Sequence, residues 1–197
     1  MSPGGSPVKV AVVSDVHANL HALESVLAAI DADPADELWC LGDLVGYGAR
    51  PNECCELIEA RAAVCLGGNH DLAVRGTIDL AEFSGDAAVA AIMLSDFPLT
   101  LVGHSHVALQ VSLNDRALDG GLAGDGTVLD LGTRKWLLNP GSVGQPRDGD
   151  PRAAYLVLDL EAQRAAFHRV DYDIEATQAE IRAAELPEPL AERLATG

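Results

Sequence analysis

The chain is short of aromatic residues, of positive charge and of paired cysteines. Only 4% of its 197 positions are aromatic, and 13 Lys and Arg stand against 30 Asp and Glu, for a formal net charge of -17. A field of that sign repels DNA, RNA and anionic membranes at long range, so neither a nucleic-acid duplex nor a membrane is expected as a partner. It does not exclude a phosphate substrate, because bound divalent ions reverse the sign locally. None of the four cysteines forms a Cys-x-x-Cys pair, which argues against a zinc ribbon. Cys40 and Cys65 lie in apolar, strand-like runs and read as buried small hydrophobes, while Cys54 and Cys55 are adjacent on an expected helix. This usage fits a reducing compartment, and a cytoplasmic location is expected. The longest apolar run, 87–102, is broken by Asp96 and Pro98 and makes no transmembrane helix. Residues 1–7 form a Gly/Pro/Ser stretch with no apolar centre, so they read as a flexible tail and not as a signal peptide.

What remains is an apolar chain, 48% hydrophobic, of a length that suits one domain over 8–197. Residues 8–14 read as a buried strand. Asn19 is a natural cap for a helix whose apolar face is Leu20, Leu23, Val26, Leu27 and Ile30. A second strand follows at 37–41, a helix starting at Pro51, and a third strand at 63–66. This alternation predicts a layered α/β core with parallel strand pairs, in which ligands collect beyond the carboxyl ends of the strands. The second half differs. Short strands are expected at 99–102, 108–113, 128–131, 136–138, 155–160 and 165–170, punctuated by hairpin residues. A surface helix is expected at 173–185, ended by Pro187 and Pro189, with a short tail beyond. No repeat, linker or second domain is visible.

Four motifs carry the chemistry: Asp15-x-His17, Gly42-Asp43, Gly68-Asn69-His70-Asp71 and Gly103-His104-Ser105-His106. Each follows an apolar run and opens a turn. Asp15 and His17 are two apart after a strand, so both can turn toward one ion. Gly42 lets the backbone approach Asp43 closely. Asn69 offers a neutral carbonyl oxygen, and His104 and His106 alternate along an extended turn, so each can face a different ion. Any one motif arises readily by chance; four in this order do not. The set is what a pair of divalent ions acting on a phosphate ester needs, with a carboxylate shared between hard and intermediate ligands.

In these motifs, extended to 14–20 and 42–48 and joined by Asn139-Pro140-Gly141-Ser142-Val143-Gly144-Gln145-Pro146-Arg147, the sequence resembles the calcineurin-like metallophosphoesterases, nearest their small bacterial phosphodiesterase-like branch. The resemblance implies a four-layer α/β/β/α sandwich of two mixed sheets flanked by helices. It implies one metal held by Asp15, His17, Asp43 and His106 and a second held by Asp43, Asn69 and His104. Mn²⁺ is the first choice, with Ni²⁺, Zn²⁺, Fe²⁺ or Mg²⁺ as alternatives. It places His70 beside the phosphate, as general acid or charge stabiliser. Asp71 would orient His70 or cap the following helix. Asn69, His70 and Arg147 would meet the substrate, although a turn salt bridge is the plainer role for Arg147. Tyr47 and Arg50 either flank the substrate or simply build their loop. His21 and His168 read as exposed. The implied activity is hydrolysis of a phosphodiester or small phosphate ester by in-line attack of a metal-bound hydroxide. The alternatives are a weak or inactive metal-binding module of the same fold, and, by analogy alone, a phosphoprotein phosphatase.

One family ligand is absent. No histidine lies between His70 and His104, where relatives place a His-Gly turn and several dozen more residues. The run at 86–95 reads as the end of a helix, since four residues cannot make a parallel crossover to the strand at 99–102. The second metal site then keeps three protein ligands, and Asp79, Glu82, Asp86 or Asp96 are the nearest substitutes in sequence.

Overall fold

The structure, a computed structural model, describes residues 9–75, 97–114 and 117–197. Strand β1 (Lys9–Val13) is the centre of the fold. Strand alternation sends Val10 and Val12 to one side and Ala11 and Val13 to the other, and all four are fully buried. It pairs parallel with β2 (Glu37–Cys40), which pairs parallel with β3 (Val64–Cys65). A second sheet is built from β4 (Leu99–Leu101), β5 (Ala108–Asn114), β6 (Ala117–Leu122) and β8 (Lys135–Pro140) in the order β4-β8-β5-β6. On its other side β1 pairs antiparallel with β9 (Ala153–Asp159), followed by β10 (Arg164–Val170) and β7 (Val128–Asp130), so the first sheet runs β3-β2-β1-β9-β10-β7. Both sheets are mixed, because β4 and β8 are parallel while β5 runs against β8 and β6.

Two apolar layers follow from the alternation. Between the sheets, Val10, Val12, Leu156, Leu158 and Phe167 meet Ala108, Trp136 and Leu138. On the outer face of the first sheet, Ala11, Val13 and Tyr155 meet Leu23, Val26, Leu27 and Ile30 of α1 (Leu20–Ala32) and Cys54 and Ile58 of α2 (Pro51–Arg61). Asn19 caps α1, its Oδ1 accepting from the Ala22 amide at 3.1 Å. The result is an α/β fold of two mixed sheets flanked by helices, as expected. The helical layer expected over the outer face of the second sheet, and the helix end at 86–95, lie outside the described residues. Among the described residues no helix is long and apolar enough to cross a membrane.

Four expectations change. β6 was not anticipated, because Asp119-Gly120-Gly121 has turn chemistry; full-length pairing with β5 overrides it. Cys65 is exposed, since β3 is an edge strand. His168 is half-buried and stacks on Tyr155, with ring centroids 4.9 Å apart. The end of the chain is a packed hairpin and not a tail. Helix α4 (Ile174–Ala183) turns through Pro187 into α5 (Glu188–Glu192) and a 3₁₀ turn (Arg193–Ala195), and Ile181, Ala191 and Leu194 close their own core.

Phe167 is the largest fully buried side chain and joins the two sheets. Phe167→Ala is expected to lower unfolding free energy by roughly 3–5 kcal/mol, read from the urea midpoint. A loss under about 1 kcal/mol would show that the sheets do not pack through this ring.

Candidate metal centre

The carboxyl ends of β1, β2 and β3 lie on one edge, and the turns that follow them carry Asp15, Asp43 and Asn69. The parallel pair β4–β8 brings the turns holding His104, His106 and the 141–147 segment to the same place. The donors sit on a bent backbone. Asp15, His17, Asp43, His104 and His106 all have φ between 48° and 71°, in the left-handed region. Such conformations cost about 1–3 kcal/mol each in a residue with a Cβ and survive only where neighbours enforce them. Here the turns enforce one another. The amides of Asp15, His17 and Ala18 donate to the carbonyls of Gly42, Asp43 and Leu44 at 3.0, 2.9 and 2.8 Å. The Ser142 hydroxyl and the Gly144 amide both donate to the Asp15 carbonyl, and Asn139 Nδ2 donates to the Gly103 carbonyl at 2.9 Å.

Asp15, His17 and His106 converge, each offering one ligand atom within 4.8 Å of the others, and all three are buried. The hydrogen bonds fix the tautomers. His17 Nδ1 lies 2.9 Å from the Val45 carbonyl and His106 Nδ1 lies 2.7 Å from the Gln145 carbonyl. A carbonyl only accepts, so both Nδ1 atoms carry the proton and both Nε2 atoms present lone pairs. Those Nε2 atoms face each other at 3.0 Å, with Asp15 Oδ1 3.8 and 3.5 Å away. Burial, then the neighbouring His106 ring, lowers the His17 pKa to about 2. Burial, then the Arg147 charge, lowers that of His106 to about 3. Neither ring therefore holds the proton that would bridge the nitrogens near neutral pH. Three such atoms aimed at one point form a group that could hold a cation, and two imidazole nitrogens with a carboxylate oxygen suit a divalent transition metal. Burial, and secondarily the Asp43 carboxylate, raises Asp15 to about 7.

The other donors flank this group. Asp43, Asn69 and His104 line, with Asp15, a cavity of about 210 Å³. The His104 amide donates to both Asp15 carboxylate oxygens, and Asn69 Oδ1 lies 2.8 Å from His104 Nδ1. Asp43 Oδ1 accepts from the His70 amide at 2.8 Å, and burial raises the Asp43 pKa. Asp43 is outside the tight group of three, on the wall shared with Asn69 and His104. Gly68 permits this wall, because a Cβ there would stand 2.1 Å from Asp43 Oδ1 and 2.4 Å from the Asp43 amide nitrogen. The substitutes Asp79, Glu82, Asp86 and Asp96 lie outside the described residues.

Around the donors several roles differ from those expected. Asp71 is at the third position of α3 (Asn69–Val74), and its carboxylate caps that helix from there by accepting from the amide of the cap residue Gly68. Its carboxylate accepts from the amides of Leu44, Val45 and Gly68, so it ties two ligand turns together and makes no hydrogen bond to the His70 ring among the described residues. That ring packs against His17 and Tyr47, with centroids 4.8 and 4.7 Å away. Arg147 forms no salt bridge among the described residues. Its guanidinium lies 5.6 Å from the Tyr47 ring centre, Nη2 donates to Gln145 Oε1 at 2.8 Å, and Nε is buried without a partner. Arg50 builds its loop, pairing with Glu53 and with Glu180 of α4. His21 is half-buried, 3.5 Å from the same Glu180. Behind His17, a small cavity is closed by Thr177, Ile181, Leu190 and Leu194 of the terminal hairpin. The carbonyls of Val45 and Gln145 were missed from the sequence. A backbone acceptor leaves no residue-type signal, although the 42–48 and 139–147 motifs spanned both places.

A site of this composition at the strand ends of a two-sheet sandwich defines a class, the metallophosphoesterases. Residues 8–163 match the calcineurin-like phosphoesterase superfamily domain, and the chain belongs to that superfamily. It is similar to a metallophosphoesterase from Sphaerobacter thermophilus, with 38% identity, 96% of this chain and 98% of that one covered, and a TM-score of 0.83. An uncharacterised protein from Methanocaldococcus jannaschii is 33% identical over 241 aligned positions, covering 95% of this chain and 98% of its own. A symmetrical bis(5'-nucleosyl)-tetraphosphatase from Actinobacillus pleuropneumoniae is 39% identical over 70 residues, 34% of this chain and 26% of its own.

Two outcomes follow. Metal affinity is expected to fall below pH 7, by about tenfold per unit, as protons compete for Asp15. Asp43 adds to the fall in the same direction, while His17 and His106 stay neutral and contribute nothing. Calorimetric titration with Mn²⁺ at pH 6, 7 and 8 measures this, and a flat profile contradicts it. Gly68→Ala is expected to displace Asp43 and reduce bound metal per chain, read by elemental analysis; unchanged metal content would show that this close approach is not needed.

Proposed function

We propose that the chain is a metal-dependent phosphoesterase that hydrolyses a phosphodiester or other small phosphate ester. The observation that carries this reading is the pair of bare imidazole nitrogens, 3.0 Å apart beside a buried carboxylate. The donors suit two divalent cations. Asp15, His17, Asp43 and His106 would hold one, and Asp43, Asn69 and His104 the other, with Asp43 shared. When bound, such cations lower the pKa of a coordinated water and neutralise charge on the phosphate. The mix of imidazole, amide and carboxylate donors suits Mn²⁺ first.

The protein's own groups do the rest. His70, on the turn after Asn69, protonates the leaving oxygen or stabilises developing charge. Asn69 offers its amide to the substrate. Arg147, which forms no salt bridge among the described residues, offers positive charge to phosphate oxygens. The 70-residue similarity to the tetraphosphatases supports a nucleotide-like phosphate ester.

A second reading, a weakly active or inactive binding module, is favoured by the thin donor set at the second position, where among the described residues His104 is the one nitrogen ligand.

Metal-stripped protein given back Mn²⁺, Ni²⁺, Zn²⁺ or Mg²⁺ is expected to hydrolyse bis-p-nitrophenyl phosphate, fastest with Mn²⁺. Asp43→Asn or His70→Ala should lower the rate by about 10²-fold or more. No release with any metal would reject the enzyme in favour of the module.

A further inference from the structure

His70 carries the chemistry most exposed to error, since a proton donor works only where its ring is aimed. Among the described residues no hydrogen bond aims it. The Asp71 carboxylate is taken up by three backbone amides. What surrounds the ring is packing. His17 meets it nearly edge-on, at 80° and 4.8 Å between centroids, and Tyr47 meets it at 58° and 4.7 Å. Both distances lie in the range where aromatic pairs attract. On a further side stands Gly46, at φ +91°, where a Cβ would approach His70 Nδ1 to 2.6 Å. The backbone is bent to make this arrangement. Tyr47 itself sits at φ +62°, a strained conformation for a residue with a large side chain, and the Gly48 amide ties the turn to the His17 carbonyl at 3.1 Å. The Tyr47 hydroxyl makes no hydrogen bond among the described residues. Its ring, and not its polar end, is what the turn presents.

We propose that Gly46 and Tyr47 are positioning residues that form a slot holding the His70 imidazole against the reacting phosphate, so that Tyr47 governs turnover through His70. The inference rests on the reading of His70 as the group that meets the phosphate. A ring held by shape can be loosened from the Tyr47 side; because Tyr47 also packs on His17, at 4.6 Å between centroids, the metal content of each variant separates an effect through His70 from one through that ligand. A displacement of about 1 Å is enough to cost up to 10²-fold in rate.

The test is steady-state kinetics of the Mn²⁺-loaded protein on bis-p-nitrophenyl phosphate, with metal content measured on each variant. Tyr47→Ala is expected to lower kcat by about 10- to 100-fold with KM within about threefold and metal content unchanged. Tyr47→Phe keeps the ring and should restore kcat to within about threefold of the parent. Gly46→Ala, whose Cβ would press on the imidazole at Nδ1, should lower kcat as Tyr47→Ala does. The decisive comparison is the double variant Tyr47→Ala/His70→Ala, expected to be no slower than His70→Ala alone, because a residue that acts through His70 has nothing left to act on. Multiplied losses in the double variant, a loss of metal in Tyr47→Ala, or an unaffected kcat in Tyr47→Ala would each overturn the slot. Should His70→Ala itself leave kcat unchanged, the role given to His70 fails, and the slot with it. A His70 effect without a Tyr47 effect sinks the slot alone.

Discussion

Two carbonyl groups, those of Val45 and Gln145, decide what this centre can be. By accepting from Nδ1 of His17 and His106 they leave both Nε2 atoms as bare donors pointed at one another. Without those contacts either ring could flip or change tautomer, and the pair would settle into an ordinary histidine–histidine hydrogen bond. With them, the gap is lined by lone pairs and has the donor set of a cation site. The rest of the fold holds those two carbonyls and two rings in register. One carbonyl lies in the turn after β2, the other beyond β8, and β1 and β5 flank the rings themselves.

The left-handed turns are the second expression of the same constraint. Five of the six expected donors adopt a conformation that chains avoid. They are held by turn-to-turn hydrogen bonds and by the Asp71 carboxylate, which gathers amides from two different ligand turns. Strain of this kind would relax in a centre with no task, so it agrees with the convergence of donors as a sign of a built site.

Much of this was readable from the chain because the relevant signals are local. The run around Val10 to Val13, the Asn19 cap and the helical spacing of Leu23, Val26 and Leu27 each announce their element within a few residues, and Asp15, Asp43 and Asn69 fall at strand ends that periodicity alone locates. The misses share a different cause. Strand β6 exists through pairing with β5 against its own turn-like composition. Cys65 is exposed through the edge position of β3. The Asp71 carboxylate found amides that only the folded arrangement of two turns brings near it, and Arg147 faces Tyr47 because the turn after β8 bonds to the turn after β1, which bonds to the turn after β2. No local pattern reports which long-range neighbour a polar group will meet.

The terminal hairpin has a consequence of its own. Glu180 grips both Arg50, on the loop after Tyr47, and His21, on the helix after His17, while Ile181, Leu190 and Leu194 seal the space behind His17. The last two dozen residues thus brace the reacting end of the molecule from behind. A change at Glu180 or in this hairpin would reach the turns that carry His17 and Tyr47 without altering Asp15, His17 or His106 themselves. The far end of the chain is thus a buttress of the candidate site that the donor residues do not reveal.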